Sequence, residues 1–182
     1  MKQVAPRSNA EVLAVYHSAH KAADILMFGK KFAAMLRTPK YERLLRSRDD
    51  RNHQKGDLLA TWERGTCWIV SEALLRVFPK GRKWILASWF AAGGSEYGDD
   101  DGDWSVEHCL VKVGPLLMDS TGAHVPQDVL RSSRKDFPAT RFRLAPYGSK
   151  QWHGTLVEGD LWHDEKLIAA VAEGARKILA GG

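Results

Sequence analysis

The chain has 182 residues, 44% of them hydrophobic and 27% charged, with a net charge of +5; that is room for one domain with a real core, in an ordinary globular balance. No apolar run approaches the length of a membrane span, and Met1 to Ala10 carry charge without an apolar segment, so neither a transmembrane helix nor a secretory signal is expected and the default address is cytoplasmic, with specialised export left open. Two cysteines, Cys67 and Cys109, exclude a disulfide scaffold and any Cys-x-x-Cys zinc or redox motif; a single bridge between them stays open but is not the expectation, since each has its own role.

In chain order, Ser8-Asn9-Ala10-Glu11 reads as a capping box, and Val12, Val15, Tyr16, Ala19, Ala23 and Leu26 recur behind it at helical spacing to about Phe28. Thr38-Pro39 opens a second helix, Thr38 as N-cap and Pro39 in the first turn, followed by a polar loop over Arg48 to Gly56. Gly65-Thr66-Cys67 precedes a third helical stripe, Trp68 to Phe78, stopped by Pro79 and Gly81. Lys83 to Ala91 is apolar on both faces and suits a buried strand. A Gly/Asp loop over Ala92 to Trp104 leads to two strands, Ser105 to Val113 and Leu116 to Asp119, about Gly114-Pro115. A short helix over Pro126 to Ser133, a strand at Arg141 to Leu144 with its Arg residues outward, and a closing helix over about Asp164 to Leu179 follow. The order predicts a single α+β domain over 1–182, with N-terminal helices, one helix packed on a mostly antiparallel sheet, and a C-terminal helix.

Charge is segregated. Nine Lys/Arg lie between Lys30 and Lys55, and six acids with no Lys or Arg between Glu96 and Glu107. Such polarity serves an internal match or steers a charged partner.

Three residues carry the functional expectation. A helix N-terminus stabilises a thiolate, so Cys67 is placed to be a nucleophile whose own backbone N–H faces a developing oxyanion, with Gly65 and Thr66 turning the chain and capping the helix. Taken alone, a free Cys is more often a small core residue. His108 lies on the strand face of Val106 and Leu110, where an isolated His is usually structural; a base for a thiol needs such a rigid mount and a third group to orient it. If Gly114-Pro115 is a two-residue turn, residue 113 faces 116 and 110 faces 119, which puts Asp119 diagonally opposite His108 on one face. The plainer role for Asp119 is a turn residue ahead of Ser120-Thr121-Gly122.

Gly65-Thr66-Cys67-Trp68 resembles the Gly-x-Cys-Trp nucleophile motif of transglutaminase-like and papain-like cysteine enzymes. His108 opening an apolar strand, then Leu117-Met118-Asp119-Ser120-Thr121-Gly122, resembles the His and Asp strands of the transglutaminase-like core, in the same Cys, His, Asp order. The separations are 41 and 11 residues. The resemblance covers Gly65 to Gly122, implies a catalytic core over about 60–145, and implies a thioacyl intermediate on an amide or ester with no cofactor. Cys67 would be the nucleophile, His108 the base and acid, and Asp119 the orienting carboxylate. Papain-like enzymes carry an oxyanion-hole Gln upstream of the Cys; the matching position here is Thr61, which leaves Trp62, Gln54 and Asn52 as candidate second donors. Trp68 and Trp104 are the candidate walls of the substrate cleft.

Other signals weigh less. Asp99, Asp100, Asp101 and Asp103 do not fit the EF-hand pattern, because Trp104 and Leu110 stand where it needs Gly and Glu; no metal is expected. The acidic loop enters the His108 strand and would favour basic substrate segments. His17, His20, His153 and His163 have no marked partners. The expected activity is therefore a cysteine protease or amidase acting on a protein or peptide, with deamidation or transglutaminase-type acyl transfer at the same site as the alternative. A non-enzymatic nucleic-acid-binding protein using the basic helices is the rival from another class; neither nucleic acid nor membrane is the expected partner.

Overall fold

Period-two apolar patterning around one tight turn organises the sheet, and helical stripes cover both of its faces. The computed structural model describes residues 22–52, 62, 66–89, 104–136, 141–148 and 164–181. Helices α1 (Ala22–Leu36), α2 (Pro39–Asn52) and α3 (Cys67–Val77) come first. Strands β1 (Arg82–Trp89), β2 (Trp104–Val113), β3 (Leu116–Asp119) and β4 (Gly122–His124) follow, then α4 (Pro126–Asp136), β5 (Arg141–Pro146) and α5 (Glu165–Gly181). The five strands form one sheet in the order β4-β3-β2-β1-β5, every neighbouring pair antiparallel. Among the described residues the protein is thus mixed helix and sheet, of α+β class.

The β2–β3 hairpin has the register that a two-residue turn requires. Gly114 adopts a φ of +57°, a value open to Gly at little cost. Val113 pairs with Leu116, Lys112 with Leu117 and Val111 with Met118. Strand β1 lies inside the sheet between β2 and β5, which is why it is apolar on both sides: Ile85 and Ala87 pack with Cys109 and Ala145, while Leu86 packs with Leu110, Leu117 and Phe142 on the other face.

The larger core lies between the sheet and α1, α2, α3 and α5, with Phe32, Leu36, Ile69, Leu74, Ile168 and Val171 fully buried. On the opposite face α4 lays Val129 and Leu130 over Leu86, Leu110, Leu117 and Phe142. At the surface Arg76 clamps both carboxylate oxygens of Glu165 at 2.6 Å and ties α3 to α5. No described helix is long and apolar enough to cross a membrane.

Several boundaries differ from the sequence expectation for visible reasons. Helix α1 does not stop at Phe28 but runs to Leu36. Gly29 is a close-approach residue rather than a stop: a Cβ there would lie 2.5 Å from the Ala123 backbone nitrogen on β4. Helix α2 continues through the polar residues to Asn52. Strand β4 has three residues, too short to show a period. Arg143 does not face outward; it is half-buried, its guanidinium carbon 4.1 Å from the centre of the Trp104 ring. The capping box at Ser8, the acidic run Glu96 to Asp103, Gln54, Thr61, His17, His20, His153 and His163 lie outside the described residues.

Candidate active site

Cys67 is the first residue of α3 and is half-buried. Thr66 stands at the N-cap but, contrary to expectation, its side chain makes no capping hydrogen bond; its carbonyl accepts from Val70 N–H at 3.0 Å. A helix start of this kind favours an anion near its first turn, and Cys67 stands in that turn.

Asp119 and His108 come together as the hairpin register demands. Oδ2 of Asp119 lies 3.0 Å from Nε2 of His108, leaving Nδ1 as the ring nitrogen that can serve Cys67; the thiol and the ring shift each other's pKa. The plainer role of Asp119 is realised too, on its other oxygen. Oδ1 accepts from Thr121 N–H at 2.7 Å and from Thr121 Oγ1 at 2.7 Å, and lies 3.2 Å from His124 Nε2. One carboxylate thus closes a turn and holds two imidazoles. Thr121 and His124 escape sequence reading as site residues; the Asp-Ser-Thr-Gly turn marks the first, and nothing in the pattern marks the second.

One expectation about faces needs correction. His108 does not share a face with Val106. Leu86 pairs with His108 but Ala87 pairs with Val106, so Glu107 is the extra residue of a bulge; Ser88 Oγ donates to its carboxylate. The bulge inverts the alternation. Val106 joins Cys109 on the face of α3, while His108 stays with Leu110 on the face of α4. His108 lies beyond the last β2–β3 pair, and there its ring reaches both Asp119 on its own face and Cys67 on the other.

The electrostatics follow from these contacts. The hydrogen bond from the Cys109 thiol lowers the Cys67 pKa; burial opposes it; His108 and the Cys109 backbone N–H lower it further, to about 4. For His108, burial disfavours the cation, but the hydrogen bonds and charges of Asp119 and Cys67 outweigh it and raise the ring to about 9. Burial likewise pushes Asp119 up, and its bonds to His108, His124 and Thr121 hold it well below the usual carboxylate range. The three shifts all favour a thiolate beside an imidazolium, backed by a carboxylate. The hydrogen bond to Cys67 and burial push the Cys109 thiol far up, so it stays a donor.

Around Cys67 stand the two expected tryptophans. Trp68 and Trp104 both pack against the cluster that holds Cys67 and Cys109. Trp68 meets Tyr147 edge-on at 5.6 Å and carries Lys83 Nζ 3.4 Å over its ring, with Lys83 also paired to Glu72. Trp62 sits elsewhere, buried in the large helical core with its indole nitrogen unpartnered among the described residues. Asn52 ends α2. On the α4 face a cavity of about 560 Å³ reaches His108, Asp119, Thr121 and His124, with Glu107 and Asp128 among its walls. On α2, Arg43 Nε donates to the Pro39 carbonyl at 3.1 Å.

Comparison with protein-family models, with curated proteins and with solved structures gives no match.

Proposed function

We propose that the protein is a cysteine-nucleophile enzyme of the papain-like or transglutaminase-like type, which opens a peptide or side-chain amide through a thioester on Cys67. The observation that carries this reading is the 3.0 Å bond between the His108 ring and the Asp119 carboxylate, on a ring that also lowers the pKa of the Cys67 thiol. The sulfur attacks the carbonyl carbon, and the oxyanion forms against the N–H groups of the first turn of α3. His108 Nδ1 gives its proton to the departing nitrogen and then takes one from the water that opens the thioester. Asp119 holds the ring and stabilises its cationic form throughout.

Entry of an amine in place of water gives acyl transfer, and entry of a glutamine side chain with water gives deamidation; all three reactions share one thioester. Glu107, in the wall of the cavity that reaches His108, favours a basic segment of a protein or peptide substrate. The test is a panel of peptide and side-chain amides, with and without an added amine, assayed with wild type and Cys67→Ala. Turnover confined to wild type supports the reading; turnover that survives the substitution refutes it.

The nucleic-acid alternative is tested separately. No specific binding is expected at physiological salt, because the α2 cations lie on a separate element from the contact chain. A mobility shift at sub-micromolar protein, weakened by Arg43→Ala, Arg46→Ala and Arg51→Ala together, would reverse that expectation.

A further inference from the structure

Cys109 stands close enough to the nucleophile to do more than lower its pKa. It is buried at 4% exposure on the strand face that α3 covers. Cys67 packs against the same small cluster, with Ile85, Ala87 and Ala145. Of the surrounding groups Cys109 lowers the Cys67 pKa most, and the two residues are free thiols. A half-buried cysteine thus packs against the same cluster as a shielded second cysteine. That is the arrangement of an attacking and a resolving cysteine.

We propose that Cys67 and Cys109 are a reversible oxidation site, in which a hydroperoxide converts the nucleophile to a Cys67–Cys109 disulfide and so switches the enzyme off. It rests on the reading of Cys67 as a thiolate nucleophile. In the first step the Cys67 thiolate attacks a peroxide oxygen; the S–O bond forms, the O–O bond breaks, and the departing oxygen takes a proton from His108. Sulfur loses two electrons and becomes sulfenic acid while the peroxide is reduced to water or an alcohol. In the second step the Cys109 sulfur attacks the sulfenic sulfur; the S–S bond forms, the S–OH bond breaks, and hydroxide leaves as water with the proton of Cys109. An external dithiol reverses the sequence by exchange. With both sulfurs joined, no thiolate remains to attack an amide. The second cysteine also protects the first, because the disulfide forms before Cys67 climbs to the irreversible sulfinic and sulfonic acids.

The experiment treats the reduced native protein with stoichiometric hydrogen peroxide, blocks remaining thiols under denaturing conditions, and reads the peptides by mass. Wild type is expected to give a peptide pair linked through Cys67 and Cys109 within one chain, lost on adding dithiothreitol. Cys109→Ser and Cys109→Ala are expected to give no linked pair and to accumulate irreversibly oxidised Cys67; two substitutions guard against a local packing fault in either. Wild type that goes to irreversibly oxidised Cys67 at the rate of the variants, or that links only between chains, overturns the proposal. The readout needs no substrate. A linked pair in a protein that turns over no amide would sink the proposed activity and leave the switch; a Cys67 that is selectively alkylated and supports turnover but never links would do the reverse.

Discussion

Cys67→Ala is expected to remove turnover outright, by about 10⁶-fold in kcat, the scale on which deleting a triad nucleophile acts. No neighbour can take over: Cys109 is buried in the cluster between the sheet and α3. The fold should barely notice. Cys67 is the half-buried first residue of α3, and the helix is anchored by Ile69, Val70, Ala73 and Leu74 rather than by its thiol, so the stability change should be about 1 kcal/mol or less. Thermal unfolding of the two proteins, run beside the amide panel, separates lost chemistry from lost structure. Residual turnover within tenfold of wild type would remove Cys67 from the mechanism.

Asp119→Asn is expected to cost about 10⁴-fold in kcat, since the amide can hold the wrong ring tautomer and cannot stabilise imidazolium. Its pH signature is more specific than its size. In wild type, kcat/KM should rise through an acid limb near 4 and fall through an alkaline limb near 9, both macroscopic values of the coupled pair. Without the Asp119 charge the His108 pKa falls, and with less imidazolium beside it the Cys67 pKa rises, so the plateau narrows from both ends. Stability changes with a definite sign. Asp119 is depressed in the folded state, so its contribution is present above the ordinary carboxylate pKa of about 3.9 and is lost as pH falls through and below it. His108 is raised, so its contribution is complete below about 6.5 and is lost as pH rises through about 9. Asp119→Asn should therefore flatten the acid side of the unfolding curve and weaken the alkaline dependence. A variant with wild-type limbs at both ends would show that the carboxylate does not act on the pair.

Much of this geometry is legible in the residues because it is local. Gly114-Pro115 sets the hairpin register, and the register alone brings residue 119 diagonally across from 108. Gly65-Thr66-Cys67 marks a helix start, and the helix starts at Cys67. What stays hidden depends on tertiary placement. The bulge at Glu107 turns Val106 away from His108, and no Gly or Pro announces it. Which side of the sheet α3 covers decides that Cys109, rather than His108, points straight at the helix. Gly29 looks like a stop until Ala123 is seen against it. His124 reaches Asp119 only because β4, three residues long, folds back on β3. Nor does the pattern tell Arg141, which is exposed, from Arg143, which stacks on Trp104.

The central claim is that Cys67 rests as a thiolate, and the pH dependence of its alkylation measures that directly. Native protein is treated with iodoacetamide at a series of pH values, and labelling of each cysteine is followed by mass. With the Cys67 pKa near 4, Cys67 should be labelled at close to its plateau rate at mildly acid pH, while Cys109 is labelled only after unfolding. A Cys67 rate that climbs through the ordinary thiol range, around pH 8.5, or equal labelling of the two cysteines in the native protein, would contradict the account.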